Sequence, residues 1–262
     1  MAENRRRLNW ATLAAVAVAG SLLAGAILVM TALEDRVEQN REFTDSFGRA
    51  TTVIVEVDSA DVQIGLSMDD SSTVRTRLHW NTRQPPYAAG LDGGILTVRL
   101  RGCGFRVFGA YCEASVTMTV PADVTLRLRT DSGSVRVSGI QGPARLDADS
   151  GDLDVTGLGG PLAVRLDSGT LTGQGLTSTS VEVTLDSGDV DLQFNAAPAT
   201  VQTRTDSGSV VIAVPSGSGP YGVKTHTDSG ETIVEVPTAA DAEHQIDAAT
   251  DSGDITIRYQ TV

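Results

Sequence analysis

Seven copies of one tripeptide set the organisation of this chain. They are Asp131-Ser132-Gly133, Asp149-Ser150-Gly151, Asp167-Ser168-Gly169, Asp186-Ser187-Gly188, Asp206-Ser207-Gly208, Asp228-Ser229-Gly230 and Asp251-Ser252-Gly253. Successive copies lie 18, 18, 19, 20, 22 and 23 residues apart. A turn-type tripeptide held at such a period marks a stacked β architecture, in which one supersecondary unit repeats along an axis.

The flanking residues show how each unit is built. Apolar side chains or threonines stand one, three and five residues before each Asp, as in Leu162, Val164 and Leu166. After it they stand at four and six residues, as in Val190 and Leu192 or Ile255 and Ile257, with Gly173 the one exception. Period two on both sides predicts two half-buried strands joined at the marker. The inward set falls at odd offsets before the Asp and even offsets after it. A continuous strand cannot change phase in this way, so the chain bends or bulges at Asp-Ser-Gly, where glycine lacks a Cβ. Val53, Val55 and Val57, then Asp58-Ser59-Ala60, then Val62, Ile64 and Leu66 repeat the pattern with alanine in place of glycine. The expected fold class is therefore all-β, a β-solenoid of stacked two-strand rungs of 18–23 residues. Its rival is an antiparallel two-sheet sandwich with a hairpin at each marker.

Composition suits a thin interior. Aromatic residues are only 4% of the 262-residue chain, against an apolar fraction of 40%. A wide core draws on more Phe, Trp and Tyr, whereas stacked Val, Leu, Ile and Thr need few. Net charge is −13, and Lys224 is the only lysine. Nucleic acid is excluded as a partner, because neutralising phosphates needs a basic face. From Pro121 onward there are 20 acidic and 8 basic residues, so most of the negative charge lies on the repeats.

The N-terminal third has a different character. Arg5, Arg6 and Arg7 precede Trp10–Leu33, a run without a charged side chain. As a helix it would span about 36 Å, enough to cross a bilayer. Arginines before it and Glu34, Asp35 and Glu38 after it orient residues 1–9 to the cytoplasm and the bulk outside. The expectation is a single-pass anchor in the cell membrane at 10–33 and a juxtamembrane stalk at 34–50. A cleaved signal peptide is the rival, although Met30-Thr31-Ala32-Leu33 is a poor cleavage sequence.

Residues 51–120 hold the first rung and an irregular insertion that caps one end of the stack. Strands are expected at Thr73–Trp80, Ile95–Leu100 and Ser115–Val120, and a loop at Asn81–Gly94. Residues 121–262 form the repeat domain. Cys103 and Cys112 are the only cysteines. Outside the membrane they are expected to form a disulfide, being too far apart in sequence for a Cys-x-x-Cys redox pair.

Stacked rungs would align the seven aspartates in a column, each carboxylate fixing its turn by accepting the backbone N–H two residues on. Calcium between rungs is the alternative, with Asp152, Asp189, Asp254 and Glu231 as added ligands. The Gly-Gly-x-Gly-x-Asp nonapeptide of calcium-binding rolls does not occur, and no cofactor or metal is expected. His79, His226 and His244 lack metal-ligand spacing, and no Gly-x-Ser-x-Gly elbow occurs. Catalysis needs one constellation, not seven copies, so no catalytic residue is assigned.

Units such as Val164-Arg165-Leu166-Asp167-Ser168-Gly169 and Val183-Thr184-Leu185-Asp186-Ser187-Gly188-Asp189-Val190 resemble those of the bacterial “putative adhesin”, or DUF4097, family of β-strand-repeat proteins. The likeness spans roughly residues 50–262. It is specific for architecture and brings no catalytic residues with it. The expectation for function is a structural or adhesive protein: an acidic rod that presents a flat side to cell-wall polymer, to an envelope protein or to itself. A β-helical polysaccharide-processing enzyme and an envelope sensor or regulatory partner are the rivals.

Overall fold

The computed structural model describes residues 38–102 and 111–260. By its contacts the chain divides into Met1–Gln39 and Asn40–Val262, and the architecture below is that of the second unit. The expected anchor at 10–33 lies outside the described residues, as does Cys103. Among the described residues no helix is long and apolar enough to cross a membrane.

In chain order the strands are β1 (Gln39–Phe47), β2 (Thr52–Ser59), β3 (Asp61–Leu66), β4 (Ser72–Trp80), β5 (Tyr87–Asp92), β6 (Ile95–Leu100) and β7 (Cys112–Val120). The repeats follow as β8 (Thr125–Ser132), β9 (Val135–Ser138), β10 (Ala144–Ser150), β11 (Leu153–Thr156), β12 (Leu162–Ser168), β13 (Leu171–Leu176), β14 (Ser180–Ser187) and β15 (Val190–Phe194). The last six are β16 (Thr200–Ser207), β17 (Val210–Val214), β18 (Tyr221–Ser229), β19 (Thr232–Val234), β20 (His244–Ser252) and β21 (Ile255–Tyr259).

These strands form two sheets. Sheet A runs β1-β4-β7-β3-β9-β11-β13-β15-β17-β21-β19, and sheet B runs β18-β20-β16-β14-β12-β10-β8-β2-β6-β5. Each repeat gives its first strand to sheet B and its second to sheet A, crossing at Asp-Ser-Gly. Repeat-to-repeat pairing is parallel and in register, for example Leu146↔Val164 in sheet B and Leu153↔Leu171 in sheet A. This pairing excludes the hairpin sandwich. Between the sheets lie the residues picked out by the period-two pattern: Leu126, Leu146, Leu166, Leu153, Leu171 and Leu192 are fully buried. At the corner opposite the markers, Ile140, Leu158 and Leu176 are buried and carry the backbone from layer to layer (Gly159 N to Ile140 O 3.0 Å, Thr177 N to Leu158 O 2.9 Å). Gly173 stands where other repeats place an inward aliphatic. Leu176 and Leu192 fill its space, and the register shifts there.

Both ends of the stack depart from sequence order. At the C-terminal end β16 and β17 pair with β20 and β21, and β18 and β19 lie outside them. The repeat of Asp251 is therefore inserted between those of Asp206 and Asp228, correcting the expectation that layers follow the chain. At the other end β6 and β7 form a rung outside β2 and β3, which pair inward with β8 and β9. Parallel backbone pairing is indifferent to sequence, so a rung accepts any neighbour of matching corner geometry.

The insertion closes the N-terminal end. β4 and β5 pair antiparallel with β7 and β6. β5 lies where a loop was expected, joined to β6 through Gly93-Gly94. β1 occupies part of the expected stalk and borders β4. Its Phe43 meets Tyr87 of β5 with ring centroids 4.8 Å apart, bridging the sheets. The Tyr87 hydroxyl donates to Asp45 (2.7 Å). The opposite end is more open. Thr232, Ile233 and Val234 of β19 are exposed, and the edge strand β18 carries Lys224, a residue type that discourages edge-to-edge pairing.

Two expectations follow. Ile255, Thr256 and Ile257 are flanked on both sides and should exchange amide hydrogens more slowly than Thr232, Ile233 and Val234; the reverse order by exchange mass spectrometry would contradict the inserted repeat. Burial pushes the Tyr87 phenol up to about 12 from 10.0. Below pH 10 it is neutral in both states; between pH 10 and about 12 only the unfolded chain gives up the proton, so stability falls across that window. Tyr87→Phe should flatten that part of a stability-against-pH curve measured by urea denaturation.

Candidate functional site

The marker corner is the most regular surface of the molecule. Its glycines stack in the spatial order 133, 151, 169, 188, 208, 253, 230, with Ala60 ahead of Gly133. Their φ angles run from 113° to 156°. A Cβ on any of them would come within 1.7–2.2 Å of the neighbouring layer's Gly or Ala carbonyl oxygen. Glycine is thus required both for its backbone angle and for the close approach of the layers. Ala60 escapes both demands, since its φ is not positive and the corner beyond it belongs to the irregular rung. Backbone bonds tie the corners together: Gly169 N donates to Ser187 O (3.1 Å), Gly188 N to Ser207 O (2.8 Å) and Gly208 N to Ser252 O (2.8 Å).

The serines stack in register, Ser168↔Ser187 and Ser207↔Ser252 among them, and the Ser59 and Ser132 hydroxyls lie 2.6 Å apart. The marker aspartates point outward from sheet B and are exposed. None of the seven accepts a hydrogen bond from the turn backbone, contrary to the expected local cap. Threonines one residue before the marker supply side-chain bonds at the corner instead. Thr130 Oγ1 donates to Ser132 O (2.9 Å), Thr227 Oγ1 to Gly253 O (3.0 Å) and Thr250 Oγ1 to Gly208 O (3.1 Å).

The acids three residues after the marker have a defined role. Asp61 Oδ1 accepts from Ser134 N (3.0 Å), Asp152 Oδ1 from Thr170 N (3.1 Å), Asp189 Oδ1 from Ser209 N (2.8 Å) and Asp254 Oδ1 from Glu231 N (2.8 Å). In spatial order this position reads Asp61, Ser134, Asp152, Thr170, Asp189, Ser209, Asp254, Glu231. Carboxylates occupy every second layer up to Asp254, and each bonds the amide of the next layer. Those four acids lie roughly 9.6 Å apart, twice the strand spacing. Among the described residues no group of three or more His, Cys, Asp or Glu side chains is placed to hold a metal ion.

A second alternation lies two residues before the marker, on the outer face of sheet B. Registered pairing gives Arg99, Glu56, Arg129, Asp147, Arg165, Thr184, Arg204, Ala249 and His226 in successive layers. Arginine occurs at every second layer from Arg99 to Arg204, out of step with the acids three residues after the marker. The arginine series was as legible in the sequence as the acids, since both alternate along the chain from Arg129 to Arg204. Near the N-terminal end the arginines are neutralised: Arg99 Nε contacts Glu56 (2.8 Å), and Arg99 with Arg101 holds that carboxyl below its ordinary range. Arg129, Arg165 and Arg204 form no ion pair among the described residues.

One groove, of about 450 Å³, crosses β1, β4 and β7 on sheet A, lined by Arg41, Glu42, Arg77, His79 and Glu113 among others. Its carboxylates are engaged. Glu42 bonds Arg75 (3.2 Å) and Arg77 (3.4 Å), and Glu113 accepts the Tyr111 hydroxyl. His79 meets the Tyr111 ring edge-on.

The profile of the family described as Toastrack DUF4097 matches residues 52–258. The chain belongs to that family. No curated protein matches it. Solved structures similar to this Toastrack chain include a “putative adhesin” from Bacteroides fragilis, at 10% identity, covering 85% of this chain and 98% of that one with a TM-score of 0.41. A “putative cell adhesion protein” from Clostridium sporogenes has 9% identity, coverage of 85% and 100%, and a TM-score of 0.34. A “putative lipid binding protein” from Parabacteroides distasonis has 12% identity, coverage of 86% and 97%, and a TM-score of 0.31.

The stacked glycines give a graded test. Gly188→Ala, with Gly169 O only 1.7 Å from the new Cβ, should cost on the order of 3 kcal/mol or more. Gly157→Ala has φ of 63° and nothing within 4 Å, so it should cost about 1 kcal/mol. Denaturant midpoints of the two variants check the difference.

Proposed function

We propose that this Toastrack chain is a non-enzymatic envelope protein of adhesive or scaffolding type, anchored through Trp10–Leu33, with its β stack outside the membrane. The observation that carries the reading is the layered surface of sheet B and its marker corner. The same columns recur layer after layer: Asp61, Asp152, Asp189 and Asp254 join neighbouring layers, while the marker aspartates face solvent. Such a surface favours an extended or repetitive partner, because weak equivalent contacts add along it. Cell-envelope polymer or an envelope protein would meet that description.

The cysteines fit the same location. Cys112 carries no free thiol, and its proposed partner is Cys103, in a compartment that sustains disulfides. The arginines ahead of an uncharged run, with acids behind it, give the expected orientation.

Fractionation tests the reading. The chain should sediment with membranes, resist alkaline extraction and be cut by protease added to intact spheroplasts. Its cysteines should accept a thiol reagent only after reduction. Recovery in the soluble cytosolic fraction with two labelled thiols would refute the proposal.

A further inference from the structure

The outer face of sheet B carries two parallel columns of opposite charge. The marker column is acidic in each layer from Asp131 to Asp228. Two residues before it, on the same face and roughly 6.6 Å away along each strand, stand Arg129, Arg165 and Arg204 on alternate layers. All three are exposed, and among the described residues neither they nor the aspartates beside them, Asp131, Asp167 and Asp206, form an ion pair. Elsewhere a side chain two residues from a carboxylate does close on it: Arg145 bonds Asp147 at 2.9 Å and the His226 ring meets Asp228 at 3.1 Å.

We propose that this face binds a second copy of the chain, the two stacks lying side by side and parallel. A two-fold axis along the stack, between the columns, carries the basic column onto the acidic one and keeps each layer at its own height. Arg129 then meets Asp131 of the second copy, Arg165 meets Asp167 and Arg204 meets Asp206, each contact being made twice, as a two-fold interface requires. A two-fold axis across the stack would instead set arginine on arginine. The match in pitch is automatic, since both columns are built on one ladder. Thr184 takes the layer between Arg165 and Arg204, and Ala249 the layer beyond Arg204. Asp147, between Arg129 and Arg165, is the one acid in the arginine column there, and its own Arg145 holds it at 2.9 Å. The inference concerns the stack alone and does not rest on where the chain resides.

Charge reversal tests it in the full chain, in mild detergent, by sedimentation velocity. The wild type should dimerise at low ionic strength, and association should weaken at least tenfold between about 50 mM and about 500 mM salt as screening sets in. Variant one, Arg129→Glu/Arg165→Glu/Arg204→Glu, is acidic in both columns at those three layers. Variant two, Asp131→Arg/Asp167→Arg/Asp206→Arg, is basic in both columns at those three layers. Each alone should be monomeric, and an equal mixture should form a heterodimer tighter than the wild type. The same change in net charge as variant one, placed on sheet A through Arg136→Glu, Thr156→Glu, Thr172→Glu, Gln174→Glu and Gln193→Glu, should leave the dimer intact. Circular dichroism checks that every variant folds. A mixture that stays monomeric overturns the proposal, as does a dimer indifferent to both reversals. Retention of the monomeric wild type on an anionic glycan would also overturn it, assigning the face to a polyanion.

Discussion

Contact between a glycine and the carbonyl of the layer beneath it governs this structure. At seven successive corners the backbone passes so close to its neighbour that a single methyl group would collide with oxygen at about 2 Å or less. That closeness lets each strand leave sheet B and re-enter the ladder in sheet A without losing register. It also explains why the interior is narrow. Two sheets joined at every layer by so tight a corner enclose room for one row of aliphatic side chains from each, and Val, Leu, Ile and Thr fill it. Phe194 and Tyr221 are the largest side chains fully buried there among the described residues.

With the corner fixed, the outward positions are free to vary, and they vary with a period of two layers. Odd layers bring a carboxylate that bonds the next layer's amide; even layers bring an arginine on the adjoining face. The true surface unit is therefore a pair of repeats. Strong overall acidity conceals a surface on which charges of both signs run in ordered lines, one line serving internal cohesion and the others left to the solvent side. Serine or threonine between the bonded aspartates keeps like charges from standing on adjacent layers.

Strands, corners and the phase change were legible because they are local: Leu162, Val164 and Leu166 declare one buried face, and Gly169 declares where it turns. Pairing between layers was not, since it is made by backbone groups common to every residue. Nothing near Asp228 or Asp251 announces which is outermost. β1 was hidden because only Phe43, Asp45 and Phe47 of its nine residues are withdrawn from solvent, too weak an alternation against its charged neighbours. β5 was hidden for a related reason, Gly90 and two alanines diluting its pattern. The alternation of Arg129, Asp147, Arg165, Thr184 and Arg204 was open to inspection but masked by the invariant marker beside it. The hydrogen bond assigned to the marker carboxylate is made in effect three residues later, by a different aspartate and to a different layer.

The inserted final repeat changes how the molecule bears a load. In a coil whose last turn is also its last layer, tension on that end peels one interface and the rest follow in order. Here β21 is gripped by β17 on one side and β19 on the other, so a pull beyond it works against two interfaces rather than one. The outermost layer, by contrast, is reached only through the chain's interior and feels no direct tug. The tail of this protein is moored one layer deep.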